Sequence, residues 1–322
     1  MCSNIFRFDK AKWNVSGLFT HDSYLLYFYD ILSGYGTQPL DIVHGCIPCA
    51  WNSGRIIKSK PWEYIEHCFE EYARRNIAVY LTFSNYKVGR ELLNDRDSNR
   101  ILEICSMYDN NGAIVGNDLL ADYIRNNYPK MKLCTSILKT VNDNGKGEEG
   151  YYEELLSKFD KIVLHPDDSY NYGLLNKIIH KKNVEIIVNE DCVRGCVKRK
   201  EHCDIVCDFY SSGRIFNHLD ALTEFKRSSC KSVQNKGNLG LYLNNDLQNC
   251  NLTYEEMEKV YSMGYQSFKI QGRSSSPASV IYDMSRYILT EGAAAMVFKL
   301  ITNQYITVAD SDKLIIFSDK LM

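Results

Sequence analysis

The sequence predicts an α/β protein built as a TIM-like (β/α)8 barrel, with an insertion before the last strand and a C-terminal extension. Eight short apolar runs alternate with amphipathic stretches of helical period, and such alternation is typical of a parallel sheet. The chain has 322 residues, which is enough for one barrel and some additional chain. A doubly wound open sheet is the second fold that this alternation allows.

The strand and helix candidates follow one another along the chain. The strand candidates are short and rich in β-branched or aromatic residues, and the helix candidates repeat apolar residues every three or four positions. In chain order the pairs are 14–18 with 22–32, 40–44 with 62–75, 77–83 with 98–108, 112–116 with 118–127, 132–137 with 148–159, 161–165 with 172–180, 184–188 with the insertion, and 267–271 with 277–290. We assign residues 1–291 to the barrel, with an irregular tract at 203–249 as a lid over its mouth, and residues 292–322 to the extension.

Composition restricts the class of protein. The net charge of −2 gives no strong electrostatic footprint for nucleic acid, and no apolar run approaches the roughly 18–20 residues that span a bilayer. The first ten residues lack the apolar core of a secretory signal. We therefore expect a cytoplasmic protein without membrane contact, whose 12 cysteines are reduced. Cys68, Cys105 and Cys134 lie within apolar patterns, which predicts that they are core residues.

One cysteine-rich stretch is the strongest candidate for chemistry. The buried strand Val184–Val188 ends in a predicted loop with Cys192 and Cys196, and basic residues lie between and after them. Thiols surrounded by cations favour thiolates, and thiolates bind metal, so we predict a metal or iron–sulfur site here. Cys203 and Cys207 extend the series to Cys-x3-Cys-x6-Cys-x3-Cys, which is also compatible with a structural zinc. The triplet of radical S-adenosylmethionine enzymes is absent from this stretch.

A second pair of thiols follows the second predicted strand. Cys46-Ile-Pro-Cys49 forms a CxxC, a pattern that redox pairs, zinc knuckles and chance all produce.

Polar residues follow several predicted strands. Active sites of (β/α)8 barrels lie at the carboxyl ends of the strands, so residues from distant parts of the chain converge at one face. We predict catalytic roles for His165, Glu190 and Arg273. Substrate-binding roles are predicted for His44, Asn52, Arg55, Asn85, Asn117 and Asn189.

Two motifs resemble a known family. Asn189-Glu-x-Cys192-x3-Cys196-Val-x-Arg199-x2-His202-Cys203 resembles the Asn-Glu-x-Cys-x3-Cys-Pro-x-Arg-x2-His-Tyr signature of proteins related to the collagenase-like peptidase family (U-32). Phe268-Lys-Ile-Gln-Gly-Arg273 resembles that family's Phe-Lys-Ile-x-Gly-Arg segment. The resemblance covers roughly residues 41–273. Val197 stands where the family has proline, and Cys203 stands where it has tyrosine or phenylalanine.

The resemblance implies a TIM-like barrel carrying a 4Fe–4S cluster. Some relatives look like oxygen-independent hydroxylation factors that act on tRNA, ribosomal RNA or a ubiquinone precursor. Carried over by position, Cys192 and Cys196 match cluster ligands, Cys230 matches a later lone cysteine, and Cys46 matches a ligand in an early loop. The fourth ligand stays open between Cys46, Cys49, Cys203 and a site without a cysteine.

These observations together predict an iron–sulfur enzyme, an oxidoreductase, hydroxylase or sulfur transferase. The expected substrate is small or nucleotide-linked, and the expected partner is another protein or an electron or sulfur donor. The alternatives are a zinc-stabilised peptidase or hydrolase, and a non-catalytic iron–sulfur subunit of a heteromeric hydroxylation complex. The sequence shows no nucleophile with a paired base and no catalytic zinc signature, which weighs against the hydrolase.

Overall fold

A computed structural model describes seven segments of the chain: residues 5–35, 40–53, 59–211, 222–226, 228–230, 249–272 and 276–309. The strands are β1 (Lys12–Ser16), β2 (Leu40–Gly45), β3 (Ala78–Phe83), β4 (Gly112–Val115), β5 (Lys132–Thr135), β6 (Ile162–Val163), β7 (Val184–Ile187), β8 (Asn189–Val193), β9 (Asn249–Asn251) and β10 (Ser267–Ile270). The helices are α1 (Asp22–Ser33), α2 (Trp62–Arg74), α3 (Arg96–Ser106), α4 (Asp118–Asn127), α5 (Ile137–Asn142), α6 (Glu149–Lys158), α7 (Tyr172–Lys177), α8 (Arg199–Ser211), α9 (Tyr254–Ser262), α10 (Pro277–Ile288) and α11 (Glu291–Ala309).

Eight parallel strands form a nearly closed barrel, which confirms the predicted fold class. Their order is β5-β4-β3-β2-β1-β10-β7-β6, and a parallel bridge between Cys134 and Lys161 joins the two edges. Because the edges meet, the doubly wound open sheet is excluded. Each of the eight predicted strands overlaps one of these barrel strands.

The barrel has an inner and an outer apolar layer. Side chains alternate between the two faces of a strand, and the strand register places one member of the buried cluster Ile42, Tyr80, Ile114, Cys134, Val163 and Ile187 on each of six strands, facing inward. The larger cluster fills the space between strands and helices. Glu185 and Lys269 also face inward, where Lys269 Nζ donates to Glu185 Oε1 at 2.9 Å. The barrel is therefore a packed core and not a pore.

The region after β7 differs from the expectation. Asn189 to Val193, predicted as a loop, forms β8, which pairs with β9 in an antiparallel two-stranded sheet. The prediction of irregular structure from residue 203 onward is wrong for residues 203–211, which belong to α8. Cys203 and Cys207 lie four residues apart on this helix, and treating them as ligands concealed a helical pattern. Most of 212–248 lies outside the described residues.

The C-terminal extension begins with α11, which packs on α10. Ala293, Val297 and Ile301 are buried, and the rings of Tyr282 and Phe298 meet edge to face with centroids 6.2 Å apart. Among the helices that the structure describes, none combines the length and apolar character needed to cross a bilayer.

Candidate functional site

The carboxyl ends of β7 and β10 are joined by two polar side chains. Asn189 Nδ2 donates to the Gln271 carbonyl and Asn189 Oδ1 accepts from the Gln271 N–H, both at 2.8 Å. Glu190 Oε2 accepts from Gln271 Nε2 at 2.7 Å, and Glu190 Oε1 accepts from the backbone N–H of Cys192 at 3.1 Å. Glu190 therefore connects the end of a barrel strand to the first thiol of the predicted metal site.

Arg199 lies among the thiols. Only 9% of this residue is exposed, and its Nη2 contacts Cys250 Sγ at 3.6 Å and the Val193 carbonyl at 3.2 Å. Its charge acts on Cys192, Cys203 and Cys250, and Cys196 in turn acts on Cys192. The structure thus brings thiols from β8, α8 and β9 to one region around a buried cation.

The other basic residues of this stretch serve other partners. Lys198 pairs with Glu201 at 2.7 Å, Lys200 pairs with Asp204 at 3.3 Å, and Arg194 pairs with Glu256 at 2.9 Å while stacking on the ring of Tyr170. The prediction that all four basic residues surround the thiols is therefore wrong in detail, because three of the four form ion pairs with acidic side chains. Arg199 is the one of these four basic residues that contacts a thiol.

In the protein without a metal, burial is the largest influence on the protonation of Cys192 and Cys250. Burial raises the pKa of Cys250 to about 12, although the Arg199 cation opposes the rise. Burial likewise raises the pKa of Cys192 against the pull of Arg199. In the protein without a metal, burial therefore favours the protonated form of both thiols, and the metal-bound thiolates stay a prediction. A metal that displaces the protons would supply the missing positive charge.

Asp167 joins four elements around the thiols. Its Oδ1 accepts from the Gly195 N–H at 3.0 Å, from Arg199 Nη2 at 3.2 Å and from the Cys250 thiol at 3.5 Å. Its Oδ2 accepts from Lys146 Nζ at 2.7 Å. Burial opposes ionisation of this carboxyl, but these donors outweigh burial and hold the pKa of Asp167 below its usual value.

His165 follows β6 and faces the same region. Its Nδ1 accepts from the Asp167 N–H at 3.2 Å, which assigns the proton of the neutral ring to Nε2. Burial, assisted by the Arg199 cation, lowers the pKa of His165 to about 4. The ring is therefore neutral at pH 7 and is a weak base there.

Three predicted substrate-binding amides are engaged by nearby loops. Asn52 Nδ2 donates to the Ile47 carbonyl at 3.1 Å, and Asn85 Nδ2 donates to the Ala50 carbonyl at 2.9 Å. Asn117 accepts from the Leu120 N–H and donates to the carbonyls of the 86–88 segment. His44 is buried at the end of β2. These hydrogen bonds give the three amides a structural role. Substrate binding by these residues stays a prediction.

Cys46 and Cys230, two further predicted ligands, have different surroundings. Cys46 Sγ lies 3.8 Å from Cys49 Sγ in the outer apolar layer, and Cys230 is half-buried without a described contact to another thiol. Arg55 and Arg273 lie outside the described residues. Cys250 was noted only as a cysteine farther along the insertion and was not predicted as a ligand, because it shares no spacing with the first two thiols. The alternation Asn-Cys-Asn-Leu before a Thr253-x-x-Glu256 capping box was the available signal of a strand there.

The donor set is compatible with an iron–sulfur cluster in chemistry, since cysteine thiolates are its usual ligands and the Arg199 charge acts on Cys192, Cys203 and Cys250. Within the described part of the chain, no three His, Cys, Asp or Glu side chains converge closely enough to hold one metal ion.

Comparisons with known proteins give a likeness among solved structures. No protein-family model matches the chain, and no curated protein sequence matches it. The fold is similar to the structure of the U32 peptidase Mk0906, with 11% sequence identity, a TM-score of 0.48, and coverage of 84% of this chain and 94% of that chain.

Proposed function

We propose that this protein is an iron–sulfur enzyme whose cluster binds beside β8 and β9, at the carboxyl-terminal face of the barrel. The observation that carries the proposal is the buried Arg199, whose charge acts on both Cys192 and Cys250. The motif around Cys192 and Cys196 supports it through its resemblance to U-32 proteins. Contacts favour Cys250 over Cys230 as the third thiol, because Cys250 meets Arg199 and Cys230 has no described contact of this kind.

The protein's own residues would position the ligands and balance their charge. Arg199 offsets part of the negative charge of the thiolates, and Asp167 fixes the Arg199 guanidinium at 3.2 Å. Glu190 orients the backbone at Cys192. When bound, a 4Fe–4S cluster supplies electron transfer, or Lewis-acid chemistry at an iron without a cysteine ligand.

The reaction class that we propose is hydroxylation, sulfur transfer or related redox chemistry on a small or nucleotide-linked substrate. Neutral His165 offers its Nε2–H as a hydrogen-bond donor at pH 7, because Nδ1 already accepts from the Asp167 N–H. His165 would thus orient a substrate oxygen rather than remove a proton. Glu190 and Arg273 are the other proposed catalytic residues, and an electron or sulfur donor is the proposed partner.

Metal analysis of anaerobically purified protein tests this function. We expect about four irons and four sulfides per chain, with the broad visible absorption of a brown protein. Cys192→Ser, Cys196→Ser and Cys250→Ser should lose iron. Cys230→Ser and Cys203→Ser are the matched controls that should keep it, and circular dichroism would confirm that each variant is folded.

Two results would contradict the proposal. A colourless protein with one zinc, lost on changing Cys203 or Cys207, would favour the zinc-stabilised hydrolase. Iron that is lost in Cys230→Ser but retained in Cys250→Ser would restore the ligand set that the motif resemblance implies.

A further inference from the structure

Cys46 and Cys49 form a close pair of thiols outside the site described above. Their Sγ atoms lie 3.8 Å apart in the loop that follows β2, with 0% and 7% of the residues exposed. A disulfide needs an S–S distance of about 2.05 Å, so the sulfurs must approach by less than about 2 Å. Small side-chain rotations in this loop would be sufficient.

Neighbouring amides hold the loop that carries this pair. The Asn52 N–H donates to the Cys49 carbonyl at 3.2 Å, and Asn52 Nδ2 donates to the Ile47 carbonyl. Asn85, at the end of β3, donates its backbone N–H to the Trp51 carbonyl at 3.0 Å and its Nδ2 to the Ala50 carbonyl. The loop is thus fixed from within and from the next strand, which keeps the two thiols on the same side.

Cys49 also differs from the core cysteine Cys105 in its surroundings. The Cys49 sulfur lies beside a second thiol, whereas the Cys105 thiol faces the backbone carbonyls of Val79 and Gly112 at 3.8 and 3.9 Å. A second thiol within reach is what resolves a mixed disulfide into an intramolecular disulfide.

We propose that Cys46 and Cys49 are a redox-active dithiol that small-molecule disulfides oxidise to an intramolecular disulfide, independently of the thiols around Arg199. The Cys49 thiolate attacks one sulfur of the small disulfide and releases one small thiolate. The Cys46 sulfur then attacks the Cys49 sulfur of the mixed disulfide and releases the second. The protein loses two electrons and two protons, and the small disulfide becomes two small thiols.

The pairing has a consequence for the ligands of the cluster. A cysteine in a disulfide cannot bind iron, so Cys46 cannot serve as the fourth ligand while the pair is oxidised. The site around Arg199 would then keep one position without a cysteine ligand from this loop.

Oxidised glutathione is the probe for this proposal. The full-length protein, as purified anaerobically, is incubated with oxidised glutathione, alkylated and mapped by mass spectrometry. We expect Cys46 and Cys49 to lose alkylation together and to appear as one linked peptide, lighter by two hydrogen atoms than the dithiol form. Cys46→Ser should trap Cys49 as a mixed disulfide with glutathione. Cys105→Ala removes another buried thiol and should leave the linkage intact.

Three outcomes would overturn the proposal. One is that Cys46 and Cys49 stay reduced in the folded protein and become linked only after denaturation. Another is separate glutathione adducts on the two residues. The third is a loss of iron in step with the linkage, which would place Cys46 in the cluster. Because the linkage is read by mass and not by activity, it remains measurable if the protein binds no iron.

Discussion

His165 is a buried histidine whose titration the structure predicts. Burial and the Arg199 cation lower its pKa to about 4 from the ordinary value of 6.5. Above pH 6.5 the ring is neutral in both folded and unfolded chains. Between pH 6.5 and 4, His165 is protonated in the unfolded chain but stays neutral in the folded protein. Because the unfolded chain binds the extra proton, this residue lowers the free energy of unfolding as the pH falls.

NMR titration of the histidine rings checks this prediction. We expect the His165 resonance to shift with a midpoint near 4. A His165 midpoint above 6 would show that the ring is not desolvated as the structure has it.

At this scale the sequence revealed the thiols of the motif but not Cys250. Cys192 and Cys196 follow from their spacing, but the contact between Cys250 and Arg199 depends on the pairing of β8 with β9 across the insertion. The sequence also could not show which cation faces the thiols. Lys198 and Lys200 form ion pairs with acidic side chains three and four positions further along the chain. These residues become neighbours because the segment folds into α8.

Among the elements, α4 depends on the side chain that begins it. Asn117 Oδ1 accepts from the Leu120 N–H at 2.9 Å, and its Nδ2 donates to the carbonyls of Tyr86 and Val88 at 3.0 Å. We expect Asn117→Ala to lower the free energy of unfolding by about 1–2 kcal/mol, because the helix loses its cap. Chemical denaturation measures this change.

Asn117→Ser is the matched control. It keeps a hydroxyl oxygen that can accept from the Leu120 N–H but loses the two donated bonds, so its stability should lie between those of Asn117→Ala and the unchanged protein. An alanine variant as stable as the unchanged protein would remove the structural role, and weaker substrate binding at full stability would favour the substrate-binding role predicted for Asn117.

Strands were predictable where β-branched and aromatic residues run together, as in Ala78–Phe83. The two-residue strand β6 was also found, because Leu164 extends the apolar run Ile162–Val163. By contrast, β8 carries Asn, Glu, Asp and Cys and packs no apolar face, so it has no alternating pattern to detect. Backbone pairing with β9 defines this strand, and that partner lies beyond the insertion.

For the whole molecule, the join between β5 and β6 is where the barrel closes. Thr135 provides two of its contacts: its N–H donates to the Lys161 carbonyl at 3.1 Å, and its Oγ1 accepts from the Val163 N–H at 3.0 Å. Thr135→Val keeps the shape of the side chain but leaves the buried Val163 N–H without this acceptor. We expect a loss of about 1–3 kcal/mol in the free energy of unfolding.

Hydrogen exchange locates the effect of this substitution. The Val163 amide should exchange faster in Thr135→Val, while Thr135→Ser, which keeps the hydroxyl, should resemble the unchanged protein. Equal acceleration across distant strands such as β3 would show that the join is not a local point of opening.

The alternation of strands and helices predicted the barrel, because each buried strand needs a helix to cover its outer face. Closure of the barrel was harder to predict from the sequence. It depends on the bridge between Cys134 and Lys161 and on the hydrogen bonds beside it, and no local pattern in either segment specifies its partner. The prediction of closure came from the number of strand–helix units rather than from any residue at the join.

The antiparallel pairing of β8 with β9 has a consequence for how this protein tolerates change. The chain leaves the barrel along β8 and returns beside it along β9, so Val193 lies opposite Asn249. The ends of the intervening segment are therefore held together by the scaffold, and the cost of bringing two ends together depends only weakly on the number of residues between them. The stretch between the end of α8 and the start of β9 is therefore a natural attachment point, where a foreign domain could be grafted or a new specificity could evolve while the barrel, Cys196 and Arg199 stay unchanged.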